Sequence, residues 1–294
     1  MSTERALVLG GGGLAGIAWQ TGILYGLSEA GTEVTGADLV VGTSAGAAVG
    51  AQLGSGLPLA ELFDRQADPA RQNAELTPTG VSLEELMLTM TKLAEEALDP
   101  IERHRRIGEL ALAAATPPEA ARRAVIEARL PRHEWPGWPL SLVAVEVHTG
   151  EHVVFDRDSG VELVDAVAAS CAVPGVWPPV TIGASRYMDG GARTFTNVDL
   201  AGNYRRVLVI APMVEPGFAD QLADLSGRVE VIQPDAGSLT AFGTDVLDPV
   251  VRTPAALAGR AQGQRAAARI SALWAGPRAA NGTLTWRRLL RRPR

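Results

Sequence analysis

The sequence has one cysteine, Cys171, and one lysine, Lys92, in 294 residues. A single thiol excludes an internal disulfide and any zinc site built on several cysteines. Histidine is scarce too: His104, His133, His148 and His152, with none beyond residue 152. An α/β-hydrolase needs its base histidine late in the chain, after nucleophile and acid, so that order is excluded. No run of about 18 consecutive apolar residues occurs, so no membrane-spanning helix is expected. The apolar stretch Ala6 to Leu9 stops at four glycines, too short for a signal-peptide core, and the cytoplasm is the expected compartment. Basic charge is not in excess either. With 27 basic and 33 acidic side chains the net charge is −6, which argues against a general nucleic-acid binder.

What is present is an ordinary globular composition, 46% apolar and 20% charged, which excludes a mostly disordered chain. Ala6–Leu9 reads as a buried strand, Gly10–Gly13 as a glycine loop and Leu14–Ala30 as a helix stopped by Gly31. Leu39–Val41 reads as a second strand, running through Gly42–Gly46 into an Ala-rich helix, Ala45–Leu53. This alternation predicts an α/β fold, a mostly parallel sheet covered by helices. Residues 58–130 read as a helical insertion, with capping boxes at Ser82–Glu85 and Thr116–Glu119. Leu140–Val147 and His152–Phe155 read as a hairpin. Val161–Ser170 reads as a helix, Val207–Ile210 and Val229–Ile232 as strands, and Ala255–Leu273 as a helix. No repeat or linker interrupts the chain, so a single domain over 1–294 is expected, with a core of about 6–211 and a basic tail at 286–294.

Gly42-Thr43-Ser44-Ala45-Gly46 matches G-x-S-x-G between a strand and a helix, the setting of a nucleophile elbow. Side chains at Gly42 and Gly46 would obstruct so tight a turn, and Ser44 stands at the positive end of the following helix. Without catalysis, the same residues make a glycine-rich turn with an exposed serine. The loop Gly10–Gly13 admits two readings. Gly11-x-Gly13-x-x-Gly16 fits a dinucleotide fingerprint, but that needs an acid at the end of the second strand, where this chain has Val41-Gly42-Thr43-Ser44. Alternatively the loop beside Ser44 is an oxyanion hole, aiming backbone N–H groups at a tetrahedral intermediate, and this is favoured.

No histidine is placed to activate Ser44. His104 lies in Glu102-Arg-His-Arg-Arg106, which reads as a solvated helix face. His133 sits in a Trp/Pro connector, and His148 and His152 flank a hairpin turn without a third metal ligand. A carboxylate remains. Asp189-Gly190-Gly191 follows the strand-like Ser185–Met188. It reads either as a turn or as an aspartate with clear space for a serine hydroxyl. An ordinary aspartate titrates near ~3.9 and must be desolvated to serve as a base.

Glycine loop, G-x-S-x-G serine and later Asp-Gly-Gly, in this order across about residues 6–200, resemble the patatin-like phospholipase family. Ala169-Ser-Cys-Ala-Val-Pro174 to Pro178-Pro179 is similar to a stretch that family carries before its aspartate. The resemblance implies a three-layer fold and a Ser44–Asp189 dyad. It also implies oxyanion donors at Gly11, Gly12 and Gly13, and hydrolysis of lipid or fatty-acyl esters without cofactor or metal. One departure stands out: Ala15 occupies the position that is usually Arg or Lys in the family's G-G-G-x-Arg/Lys-G loop. Leu83, Leu86, Met87, Met90, Leu93 and Leu98 recur at helical spacing, as a core face or as part of an acyl-chain pocket. The tail holds five arginines with Trp286, Leu289 and Leu290, suited either to transient contact with a membrane surface or to solvent. Two other classes stay open: a dinucleotide-binding oxidoreductase and a non-catalytic lipid-binding relative.

Overall fold

Both apolar runs at the start of the chain are strands, and each feeds a helix through a glycine-bearing turn. In the computed structural model, which describes residues 4–79, 83–96 and 99–275, β1 (Arg5–Leu9) leads to α1 (Gly13–Glu29) and β2 (Leu39–Thr43) leads to α2 (Ala45–Leu53). The α1 helix stops where Gly31 takes φ +80°, a conformation open to glycine at little cost. Four helices follow: α3 (Leu59–Ala67), α4 (Leu83–Glu95), α5 (Pro100–Ala113) and α6 (Glu119–Arg129). Then come β3 (Leu140–Glu146), β4 (His152–Phe155), α7 (Leu163–Ser170), β5 (Val180–Ile182) and β6 (Ser185–Asp189). The remainder is β7 (Arg206–Ile210), α8 (Phe218–Ala223), β8 (Arg228–Ile232), α9 (Ala236–Phe242) and α10 (Arg252–Trp274). Ser82, Leu98 and the tail 286–294 lie outside the described residues.

The strands form one mixed, mostly parallel sheet in the order β5-β6-β3-β2-β1-β7-β8, with β4 also paired to β3. From β8 to β3 every pairing is parallel. Register at β3 decides where the chemistry sits. Leu142 and Val143 pair with β2 on one side and β4 on the other, while Ala144 and Val145 pair with β4 and β6. A strand has two edges, so β2 and β6 must share one. They approach from opposite directions, β2 parallel and β6 antiparallel to β3. Thr43 is opposite Val143 and Asp189 is opposite Ala144. The carboxyl ends of β2 and β6 therefore meet at adjacent register positions, ~3.3 Å apart along β3.

Alternation along the strands divides the core into two layers. Leu7, Leu9, Val40, Leu142, Leu208 and Ile210 face α1, α2, α7 and α10. Ala6, Val8, Val41, Val143, Val207 and Val209 face Val198, Ala201 and Phe218 on the other side. At the β3 end of that second face, Val145, Val147 and Met188 pack against Ile107, with Met90 and Leu93 from α4 alongside. The result is three layers, helices on both faces of the sheet.

Two local expectations need correction. The Thr116 capping box does not form. Pro118 is the N-cap of α6, in an extended conformation, and Glu119 instead accepts from the Thr181 amide and hydroxyl at 2.6 and 3.0 Å. A proline pair holds Thr116 outside the first turn. His104 is not on a solvated face. It is 4% exposed, its Nδ1 lies 2.9 Å from the Gly150 carbonyl oxygen, and burial lowers its pKa. Gly108 explains this: a Cβ there would lie 2.1 Å from the Val147 oxygen, so α5 presses directly on the hairpin and covers His104. His133, His148 and His152 are exposed.

Candidate active site

Ser44 occupies the turn between β2 and α2 with φ 53° and ψ −114°, in a region that non-glycine residues rarely adopt. Its amide donates to Ser170 Oγ at 3.1 Å, and its carbonyl accepts from Cys171 Sγ at 3.1 Å. These contacts hold the strained peptide from both sides. Gly42 is the penultimate residue of β2, and Gly46 lies in the first turn of α2. A Cβ on Gly46 would stand 1.9 Å from the Leu9 carbonyl oxygen. The close approach also lets the Gly46 amide donate to the Gly10 carbonyl at 3.1 Å, which ties the elbow to the glycine loop. Gly46→Ala must push α2 off β1. It is expected to destabilise the protein by about 3 kcal/mol or more, read as a lower denaturation midpoint.

The loop lies beside the elbow because Leu9 and Gly42 are register partners in neighbouring parallel strands. Its amides are not equivalent. Gly10 N donates to the Ile210 oxygen at 3.0 Å and Gly11 N to the Phe195 oxygen at 2.8 Å. The Gly11 N–H is thus engaged in holding the loop. Among the described residues, the amides of Gly12, Gly13 and Ala45 have no acceptor. Ala45 is not among the donors that the sequence singles out. Its N–H is free because it opens α2, where the first amides lack intrahelical partners. Ala15, at the family's basic position, is fully buried, and its amide donates to the Val246 oxygen at 3.0 Å.

Asp189 ends β6, and Gly190 and Gly191 begin the short turn after it. Its Oδ1 accepts from the Gly191 amide at 2.7 Å, and its own amide donates to the Ala172 oxygen at 2.9 Å. Oδ2 is buried without a hydrogen bond of good geometry. Burial pushes the carboxyl up to about 7, against the opposing pull of the Ser44 hydroxyl, the Gly191 amide and the Arg122 guanidinium. The Ser44 hydroxyl is thus a neighbour that favours the carboxylate; catalytic hydrogen bonds commonly tighten once substrate is bound.

Ser170 and Cys171 bond to Ser44 while Ala172 bonds to Asp189, so the Ala169–Pro174 block links the two residues. The hydrogen bonds of Asn197 go to the neighbours of Asp189. Asn197 Nδ2 donates to Thr43 Oγ1 at 3.0 Å and to the Gly190 oxygen at 3.3 Å, joining the ends of β2 and β6.

Ser44, Asp189 and Gly11–Gly13 line one cavity of about 450 Å³, within the range of small-molecule sites. Leu86, Met90, Ile107, Val173 and Val246 supply apolar wall. Two residues of the α4 stripe thus reach the cavity, while the side chains of Leu83 and Met87 lie outside the described set. Among the described residues no three His, Cys, Asp or Glu side chains gather to hold a metal, and no helix is long and apolar enough to cross a membrane.

A family model described as patatin-like phospholipase matches residues 7–201, from β1 through the turn after Asp189. The chain belongs to the patatin-like phospholipase family. Membership places it among the lipid acyl hydrolases, with a lipid as substrate. No curated protein matches the sequence. Among solved structures, VipD from Legionella pneumophila is 14% identical, with 91% of this chain and 67% of that chain covered and a TM-score of 0.46. The type III effector protein ExoU is 18% identical, with 91% and 53% covered and a TM-score of 0.41. The heterodimeric ExoU–SpcU complex of Pseudomonas aeruginosa gives 17%, 93%, 52% and 0.39. This chain therefore spans about two thirds of the first and about half of the others.

Proposed function

We propose that this patatin-like protein cleaves lipid acyl esters through a Ser44–Asp189 dyad, within one catalytic domain. The observation that carries this is the meeting of a strained serine and a desolvated carboxylate in the lining of one cavity. The expected pKa of about 7 suits Asp189 to accept a proton near neutral pH. Ser44 Oγ attacks the ester carbonyl while Asp189 takes its proton. The oxyanion is held by the Gly12 and Gly13 amides, with Ala45 added and Gly11 supporting the loop. Such donors contribute ~3–4 kcal/mol each where mutagenesis has measured them. The proton returns to the leaving alcohol, and water, deprotonated by Asp189, then hydrolyses the acyl-enzyme. The acyl chain lies along Leu86, Met90 and Ile107. A peripheral membrane role for the 286–294 tail belongs to the same proposal, since the substrate is a lipid.

Two features weigh against a dinucleotide site. The Gly11 amide is already bonded, and β2 ends at Thr43, whose hydroxyl accepts from Asn197 rather than offering a carboxylate to a ribose.

The test is labelling with a fluorophosphonate probe and peptide mapping across pH 5–9. Labelling at Ser44 is expected, with a rate that rises through about pH 7 as Asp189 ionises and then levels. A folded protein that binds lipid vesicles but takes no label would instead be a non-catalytic lipid-binding relative.

A further inference from the structure

Ser44 also lines a second cavity of about 20 Å³, room for about one water-sized group. It abuts the larger cavity at Gly13, Ser44, Val173 and Leu247, which line both. Its charged wall comes from the helical segment between β2 and β3: Glu75, Arg122 and Arg129. Glu75 is matched by Arg129, whose Nη2 donates to both carboxylate oxygens at 3.0 and 2.8 Å. Nearby Arg252 donates to Gln66 Oε1 and to the Asn73 and Arg65 carbonyls. Cys171, also in the wall, stays a neutral thiol because burial pushes it up to about 12.

Arg122 shares the same carboxylate, so two buried guanidiniums face one Glu75. Arg122 is 7% exposed and stacks 3.9 Å over the Trp177 ring, and its Nη1 stands 3.5 Å from Glu75 without hydrogen-bond geometry. Neither Nε nor Nη1 has a hydrogen-bond partner among the described residues. One carboxylate between two buried guanidiniums leaves positive charge in excess, and the idle donors of Arg122 favour a further anion. Trp177 fixes its plane, and a planar fork of donors suits phosphate or carboxylate oxygens.

We propose that Arg122 forms an anion subsite beside Ser44, which takes one oxygen of a negatively charged group on the substrate, close to the scissile ester. This rests on the hydrolase function proposed above and narrows it: the enzyme prefers acyl esters carrying a nearby phosphate or carboxylate over neutral ones. The cation enters from α6 in a chain whose glycine loop has Ala15 where relatives carry Arg or Lys.

The test compares a 1-acylglycerol 3-phosphate with the 1-monoacylglycerol of the same chain, in the same detergent micelles. For the wild type, kcat/KM is expected to favour the phosphate ester. In Arg122→Met that preference should fall at least tenfold, mainly through KM, and Arg122→Lys should restore part of it. The ratio cancels any change in Asp189 that removal of the neighbouring cation causes. A second measurement needs no variant. Wild-type hydrolysis of p-nitrophenyl butyrate should be inhibited competitively by butyl phosphate or by butyrate, and far less by butanol. Which of the two anions inhibits better identifies phosphate or carboxylate as the group held. An unchanged ratio in a folded Arg122→Met protein, or no inhibition by either anion, overturns the subsite. Absence of hydrolysis and of Ser44 labelling in the wild type would instead overturn the proposed function.

Discussion

Ser44→Ala is expected to reduce turnover of a lipid ester by ~10⁴-fold or more, the scale seen when a serine nucleophile is removed. The loss should be this large because the site holds no substitute. Cys171 is the only thiol, and its hydrogen is engaged with the Ser44 carbonyl. Burial keeps it protonated at any working pH. Thr194 reaches the large cavity, but it is not held against a carboxylate as Ser44 is. The fold should survive the change. The side chain makes no hydrogen bond that supports the turn; the Ser44 amide and carbonyl do that, through Ser170 and Cys171. The measurement is kcat/KM for wild type and variant at equal thermal midpoint. Hydrolysis that persists in a folded Ser44→Ala protein would exclude the serine mechanism.

Much of this site was legible in the sequence because its parts are local. A strand, a glycine-bearing turn and a helix specify the elbow within ten residues, and the structure places Ala45–Leu53 as a helix with the expected limits. Asp189 was legible as a candidate only by elimination of four histidines and by resemblance. Its meeting with Ser44 depends on β2 and β6 sharing one edge of β3, a long-range pairing that no local pattern encodes. The amides of the glycine loop looked alike in sequence. They differ because Phe195, far along the chain, claims one of them. His104 and Arg122 were missed for a related reason. Each sits among charges at helical spacing, which reads as a solvated face. Tertiary contact through Gly108 buries the first, and stacking on Trp177 buries the second. The short elements β5, α8 and α9 carry too few residues for a periodic signal.

Asp189→Asn is expected to nearly abolish turnover and yet stabilise the fold at alkaline pH. The carboxyl is buried, and its pKa rises from the ordinary 3.8 to about 7. A group whose pKa is higher folded than unfolded favours folding while protonated and loses that advantage as pH rises through the folded value. The native protein therefore holds a desolvated negative charge above about pH 7 that its neighbours only partly offset, at a cost of up to about 4 kcal/mol. Asparagine keeps an Oδ1 acceptor for the Gly191 amide and removes the charge. The difference in thermal midpoint between Asp189→Asn and wild type should be small near pH 4. It should grow between pH 4 and 7 and then level at several degrees, given ~2 °C per kcal/mol for a chain of this size. A midpoint difference independent of pH would mean that Asp189 ionises as an ordinary aspartate and cannot serve as the base. Opposite signs in activity and stability, by contrast, would mark it as a charge that the fold tolerates for catalysis.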